Sequence, residues 1–124
     1  MGVIQPQGVT VHLTGQVAWD AQSRLIGAGD AAAQAVQCLL NIQRLLAEVG
    51  GRLDDVVSVT TYFVHLEDLP AIQAVRAEYF GGAAAPVSTS VRVAGLGDPG
   101  FLVEMTPIAV VPAQRYVDPP SALA

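Results

Sequence analysis

The side chains best able to do chemistry in this sequence lie towards its C-terminal end. Glu104 is set among Leu102, Val103 and Met105. A carboxylate in such an apolar run is normally paired or functional, because a buried charge without a partner is strongly disfavoured. The alternative is an ordinary exposed strand face. Three hydroxyl residues, Ser88, Thr89 and Ser90, stand together at a strand start, either as ligand contacts or as plain solvated positions. Two guanidinium groups are candidates to join them. Arg92 shares strand parity with Ser88 but lies about 13 Å farther along the strand, and Arg76 belongs to a helical pattern. The default for each is a surface or interface residue.

Other signals are weaker. His12 and His65 have no neighbours at metal-ligand spacing, so no metal site is expected. Cys38, the single cysteine, sits in a helical pattern as a buried small hydrophobe rather than a reactive thiol, and suits a reducing cytoplasm. Gly95-Leu96-Gly97-Asp98-Pro99-Gly100 matches G-x-G-x-x-G. It contains proline and runs into a strand instead of opening a helix, so it reads as a hairpin turn and not as a dinucleotide site. Trp19 is read as core or interface packing, with the wall of a cleft as the alternative.

The elements that must position these groups follow from composition and period. A length of 124 residues fits one domain, spanning 1–124. Hydrophobic residues make up 52%, charged residues 14%, and the mean hydropathy is +0.44, more apolar surface than a small monomer hides easily. No apolar run approaches the roughly 18 residues of a membrane helix, and Met1 to Pro6 does not read as a signal peptide. Self-association is the expected outlet. A net charge of −5 with six basic residues and no cluster among them argues against nucleic acid.

Val9 to Thr14 alternates as a half-buried strand, and Val17-Ala18-Trp19 is expected to continue extended. Asp30 is placed to cap a helix from Ala31 to about Val49, closed by Gly50-Gly51. Val36, Leu39, Ile42, Leu46 and Val49 form its apolar stripe. Val56 to Val64 reads as a central strand. A second helix runs from about Asp68 to Phe80, with Leu69, Ile72, Val75 and Tyr79 on its core side. Ala83 to Val87 is a loop, Ser88 to Ala94 a strand, and Phe101 to Val111 another, which Pro107 demotes to an edge or a bulge. The stretch 112–124 is expected as a loose tail. The order ββ-α-β-α-ββ gives an α+β two-layer domain, one mixed sheet with both helices on one face and the other face bare.

A series of landmarks in this order resembles the Rid (reactive intermediate deaminase) family. They are Leu13-Thr14-Gly15-Gln16, Ala33-Gln34, Leu53-Asp54-Asp55-Val56-Val57, Glu78-Tyr79-Phe80, Pro86-Val87-Ser88-Thr89-Ser90-Val91 and Val103-Glu104-Met105. The resemblance implies a chorismate-mutase-like fold, a homotrimer whose sheets form a central barrel, clefts between subunits for a small metabolite, and no cofactor. It also implies hydrolysis of enamines and imines, with Gly15 as a main-chain contact, Glu104 positioning water and Ser90 meeting the ligand. The arginine that grips the substrate carboxylate in family deaminases falls at Ser88. Gln73 stands where an asparagine is common, and the segment before the first strand is shorter than the family's and lacks its tyrosine. A hydrogen bond to a charged group is worth roughly 1.5–3 kcal/mol, so serine for arginine weakens that grip on the order of 10- to 150-fold. A pocket of Ser88, Thr89 and Ser90 without arginine fits a neutral or hydroxyl-bearing ligand better. Three functions follow as expectations: a divergent imine or enamine hydrolase, a non-catalytic metabolite-binding trimer, and a ribonuclease, the last least compatible with the acidic charge.

Overall fold

The computed structural model of the chain describes residues 2–82 and 84–120. Its elements are β1 (Val9–His12), α1 (Ala31–Ala47), β2 (Val56–Phe63), α2 (Leu69–Tyr79), β3 (Val87–Arg92) and β4 (Val103–Val111). Single turns of 3₁₀ helix precede β2 and α2. The strands form one mixed sheet in the order β1-β4-β2-β3. Strand β4 runs antiparallel to both of its neighbours, and β3 lies parallel to β2 at the far edge. The parallel β2–β3 pair is joined by α2, as a parallel connection requires.

Both helices pack on one face. Asp30 caps α1 as expected, its carboxylate accepting from the Ala33 N–H at 3.1 Å. Ala35, Cys38, Leu39, Ile42 and Leu46 of α1 are fully buried. They meet Val59 and Phe63 of β2 and Val103, Met105 and Ala109 of β4. Ile72 and Val75 of α2 complete this core, flanked by the partly buried Leu69 and Tyr79.

Three expectations require correction. Val17 to Trp19 adds no strand: apart from one bridge between Gln16 and Met105 and another between Trp19 and Leu25, this stretch is irregular. The reason lies in α1, where the buried Asn41 amide donates to the carbonyls of Val17 and Trp19 at 3.0 and 2.9 Å and so takes acceptors that a strand partner would need. Pro107 does not lie on an edge strand, because β4 is flanked on both sides. Met105 exchanges two main-chain bonds with Gln16, at 2.7 and 3.0 Å. The Pro107 nitrogen, two residues on, points the same way, into the gap between the end of β1 and Gln16. The residue with no N–H to donate thus falls where no strand partner stands, and the one register irregularity lies on β2, between Val56 and Ser58.

The stretch after Pro112 is not loose through Val117. Arg115 donates to both carboxylate oxygens of Asp55, at 2.6 and 3.0 Å, and to the Gly50 carbonyl at 2.8 Å. The Val117 N–H bonds the Val49 carbonyl at 3.1 Å, and Tyr116 packs on the core. Gly50 adopts φ +79°, and the Arg115 carbonyl occupies the place a Cβ would take, so this junction demands glycine. Residues 121–124 of the expected tail, and residue 83 of the expected loop, lie outside the described residues.

Gln34 is a polar keystone of this layer. It is fully buried, donates to the Gly27 and Gly100 carbonyls at 3.2 and 2.9 Å, and accepts from the Leu102 N–H at 2.9 Å. Leucine at this position would leave the part-buried Gly100 carbonyl and Leu102 N–H without this partner, and the Gly27 carbonyl with the Asp30 N–H alone. Gln34→Leu is expected to lower stability by about 3 kcal/mol in a urea titration, whereas Gln43→Leu on the exposed side of α1 changes it by less than about 0.5 kcal/mol.

Candidate functional site

Strand alternation divides the site candidates between the two faces of the sheet. Along β4, Val103 and Met105 point into the core, so Glu104 and Thr106 point to the uncovered face. Glu104 lies opposite Tyr62 of β2, which in turn lies opposite Val91 of β3. The next row is Thr106, Thr60 and Thr89. Gly15 belongs to this side. The bridge between Gln16 and Met105 holds its backbone against β4, and a Cβ added to Gly15 would come 2.5 Å from Glu104 Oε2 and 3.0 Å from Thr106 Oγ1. The absent side chain is what lets the carboxylate rest against the main chain there.

The other candidates gather on the helix-covered face, at the β3 edge. Ser88 pairs with Val59 and Ser90 with Thr61, so both serines share the face of those inward residues. Between β3 and α2 opens a cleft of about 210 Å³, with Gln73, Arg76 and Phe80 on the helix side and Pro86 and Ser88 on the strand side. Arg76 crosses it from the helix. Its Nη1 donates to Thr61 Oγ1 and to Ser90 Oγ, each at 2.9 Å. Burial of the guanidinium pulls its pKa below the ordinary arginine value, although arginine stays charged throughout the physiological range.

The structure therefore brings Ser88, Ser90, Gln73 and Arg76 together, and Gly15 and Glu104 together, but not the two groups with each other. Thr89 goes with the Glu104 side. Arg92 stands apart from the cleft, its Nε donating to the Val64 carbonyl at 3.2 Å beyond the end of β2. Trp19 does not line the cleft; it packs edge-on against Phe101, with ring centroids 5.4 Å apart. Sequence reasoning missed Phe80, which lines the cleft, and Thr61, which lies beneath it and holds Arg76. Thr61 carried a signal: a hydroxyl on the inward parity of Val59 and Phe63 must find a partner when buried, and that partner is Arg76. Among the described residues no three His, Cys, Asp or Glu side chains converge as a metal site does.

A family model described as Endoribonuclease L-PSP matches residues 3–111. The chain belongs to this family. Its relatives carry the names Rid, RutC and YjgF. A RutC family protein of Synechocystis sp. is 37% identical over 99 residues, covering 79% of this chain and 75% of the relative. A protein of Acinetobacter baylyi named 3-aminoacrylate deaminase RutC is 36% identical over 101 residues, covering 82% of this chain and 79% of that one. The structure of YyfB, a Rid family protein from Yersinia pestis, superposes with a TM-score of 0.80 at 35% identity, covering 89% of this chain and 84% of that chain. A YjgF-type structure from Mycobacterium tuberculosis gives a TM-score of 0.72 at 30% identity, covering 86% and 82%. The two-layer α+β fold is thus that of the Rid family.

Two outcomes test this geometry. Gly15→Ala is expected to fold with a stability change within about 1 kcal/mol, since the obstructing atom ends a flexible side chain, while the Glu104 carboxyl resonance moves in the NMR spectrum; an unmoved resonance would contradict the contact. Cys38 is fully buried and desolvation pushes its thiol up to about 12, so a thiol reagent at pH 8 should label the native protein far more slowly than the urea-unfolded chain.

Proposed function

We infer that this protein is a divergent Rid-type hydrolase of small reactive imines or enamines, acting in clefts completed between subunits of a homotrimer. The observation that carries the reading is the division of the site by the sheet. Glu104 with Gly15 lies on one face and the Arg76 cleft on the other, and a molecule that fits about 210 Å³ does not reach both within one chain. A second copy, presenting its uncovered face beside the β3 edge of the first, would bring a carboxylate and a cation to one ligand. The half-exposed Val87 and Val91 of β3, at 40% and 37% exposure, supply apolar surface on that face for such an assembly. The name of the Acinetobacter relative agrees in substrate class.

The chemistry asked of these residues is modest. Glu104 accepts a proton from water as the water oxygen bonds to the imine carbon, and returns that proton to nitrogen to give a carbinolamine. The hydroxyl proton then passes to nitrogen, again by way of the carboxylate, as the C–N bond breaks, and the products are a carbonyl compound and ammonia. The Gly15 main chain holds the reacting group beside the carboxylate. RNA cleavage has no part in this reading, because a net charge of −5 with six basic residues offers little to a phosphate backbone.

A second reading, a metabolite-binding trimer without turnover, is favoured by Ser88, which stands where the family resemblance implies an arginine. Turnover separates the two. Imines generated by an amino-acid oxidase should be hydrolysed by the wild type, with Glu104→Ala reducing kcat by roughly 100-fold or more, the scale of a lost general base. Light scattering should report three times the chain mass of 12.9 kDa. An inert wild type that still binds the products would transfer the protein to the binding reading, and a monomer would remove the shared cleft altogether.

A further inference from the structure

The Rid-type site makes no use of the stretch Gly95-Leu96-Gly97-Asp98-Pro99-Gly100. Nor is this stretch the hairpin turn that its sequence suggests. Strand β2 stands between β3 and β4, so residues 93–102 must arch over the end of β2 to join them. Between this arch and the end of β2 lie two adjoining depressions, of about 490 and 380 Å³, which share Val64, His65 and Ala94. They open outside the carboxyl ends of the parallel pair β2 and β3, where connecting loops are free to shape a binding site.

Two glycines of the arch are not required by the fold. Neither Gly95 nor Gly97 adopts a positive φ, and a Cβ added to either would meet nothing within 4 Å. Glycine costs backbone entropy, and a bare main chain that the fold does not need is suited to close approach by a ligand. The N–H groups of Gly95, Leu96 and Gly97 are given no acceptor by the described residues. Arg92 stands at the foot of the arch. Its Nε donates to the Val64 carbonyl at 3.2 Å, which holds the guanidinium in place. The other four of its five N–H donors are given no acceptor by the described residues. Among those residues, Arg92 and His65 are the only ionisable side chains that line the larger depression. Asp98 lines the smaller one, where its Oδ1 accepts from the Gly100 N–H at 2.8 Å.

These donors suit a tetrahedral oxyanion better than a planar one. With Nε engaged by Val64, the side-on fork that matches a carboxylate is lost. What remains approaches from several directions: the end of a guanidinium, an imidazole and a run of main-chain N–H groups, which together match the three terminal oxygens of a phosphate group. The smaller depression continues past them along Leu96, Phe101 and Leu102, an apolar wall for a compact body attached to the phosphate. We propose that the chain carries a second small-molecule site, at the arch between β3 and β4, which binds phosphate monoesters with a small apolar body. Arg92 and the main chain of residues 95–97 hold the phosphate, His65 adds a third direction of contact, and the apolar wall receives the body. The site is separate from the Arg76 cleft, since Ser88 and Arg92 lie about 13 Å apart along β3, and it does not rest on the hydrolase reading.

The test titrates the intact, nitrogen-15-labelled protein with three probes: phenyl phosphate, inorganic phosphate, and benzoate, which pairs the same ring with a planar anion. Phenyl phosphate is expected to move the amide resonances of Gly95, Leu96 and Gly97 and the Arg92 Nε–H, leaving those of Ser88 and Ser90 in place. Inorganic phosphate should move the same resonances with lower affinity, and benzoate should not move them at comparable concentrations. Arg92→Gln should weaken phenyl phosphate binding roughly 10- to 150-fold, and His65→Ala by less. Gly95→Ala meets no atom of the fold, so it should keep the wild-type Tm while weakening binding by about tenfold. Benzoate or inorganic phosphate binding as tightly as phenyl phosphate would overturn the proposal. So would wild-type affinity in Arg92→Gln or Gly95→Ala, or shifts that fall at Ser88 and Ser90 instead of the arch. The wild-type spectra and Gly95→Ala decide even where Arg92→Gln fails to fold.

Discussion

Everything about this site turns on the two-residue period of a strand. Because β4 must bury Val103, Met105 and Ala109 under α1, Glu104 and Thr106 have no choice but to face the other way. The same rule acts on β3 through its pairing with β2. Once Thr61 and Phe63 are committed to the core, Ser90 and Arg92 share their side and Thr89 and Val91 do not. A one-residue slip of β4 would turn Glu104 into the core, and one of β3 would turn Ser88 and Ser90 to the uncovered face. Register is therefore held by the largest energetic term the domain has, burial of its apolar sheet face against α1.

A second tier of interactions holds the irregular parts to this frame, and it is polar. Gln34 and Asn41 on α1 are buried side chains whose amides are spent on main-chain groups of the 13–29 excursion and of the turn before β4. Main-chain groups of a loop that find no main-chain partner against a core must be paired by side chains or water. The excursion carries Gly15, so these amides help set where its main chain meets the Glu104 carboxylate. At the opposite end, Arg115 and Asp55 fasten the stretch after β4 to the turn before β2.

The cleft is shaped by how α2 packs beside the β3 edge. Arg76 reaches from α2 to hydroxyls on β2 and β3, because the helix packs beside these strands and an arginine side chain is long enough to cross. The two hydroxyls that receive Arg76 have opposite surroundings, Thr61 buried and Ser90 exposed. The group is thereby held between a buried hydroxyl and an exposed one.

Much of this was already legible in the residues. The apolar period of three and four along 31–49, the β-branched run at 56–64, the Asp30 cap and the Gly50 stop are local signals, and local signals define elements. Glu104 stood out for the same reason, as a charge against its own strand pattern. The landmark series from Leu13 to Met105 carried the family. What could not be read locally was anything set by contact between distant segments. The irregular path of Val17 to Trp19 depends on Asn41, the place of Pro107 in a central strand depends on where β1 leaves the sheet, and the tie at Arg115 depends on Asp55. The largest gap concerned the cation. Ser88 read alone implies a cleft without positive charge, and only the packing of α2 against β3 brings Arg76 to Thr61 and Ser90. Sequence alone determined the elements, the family and the carboxylate, because these depend on residue type and period. The tertiary structure decided which face each group occupies and which hydroxyls receive the Arg76 guanidinium, because those depend on strand register and on the reach of one helix side chain across to another strand.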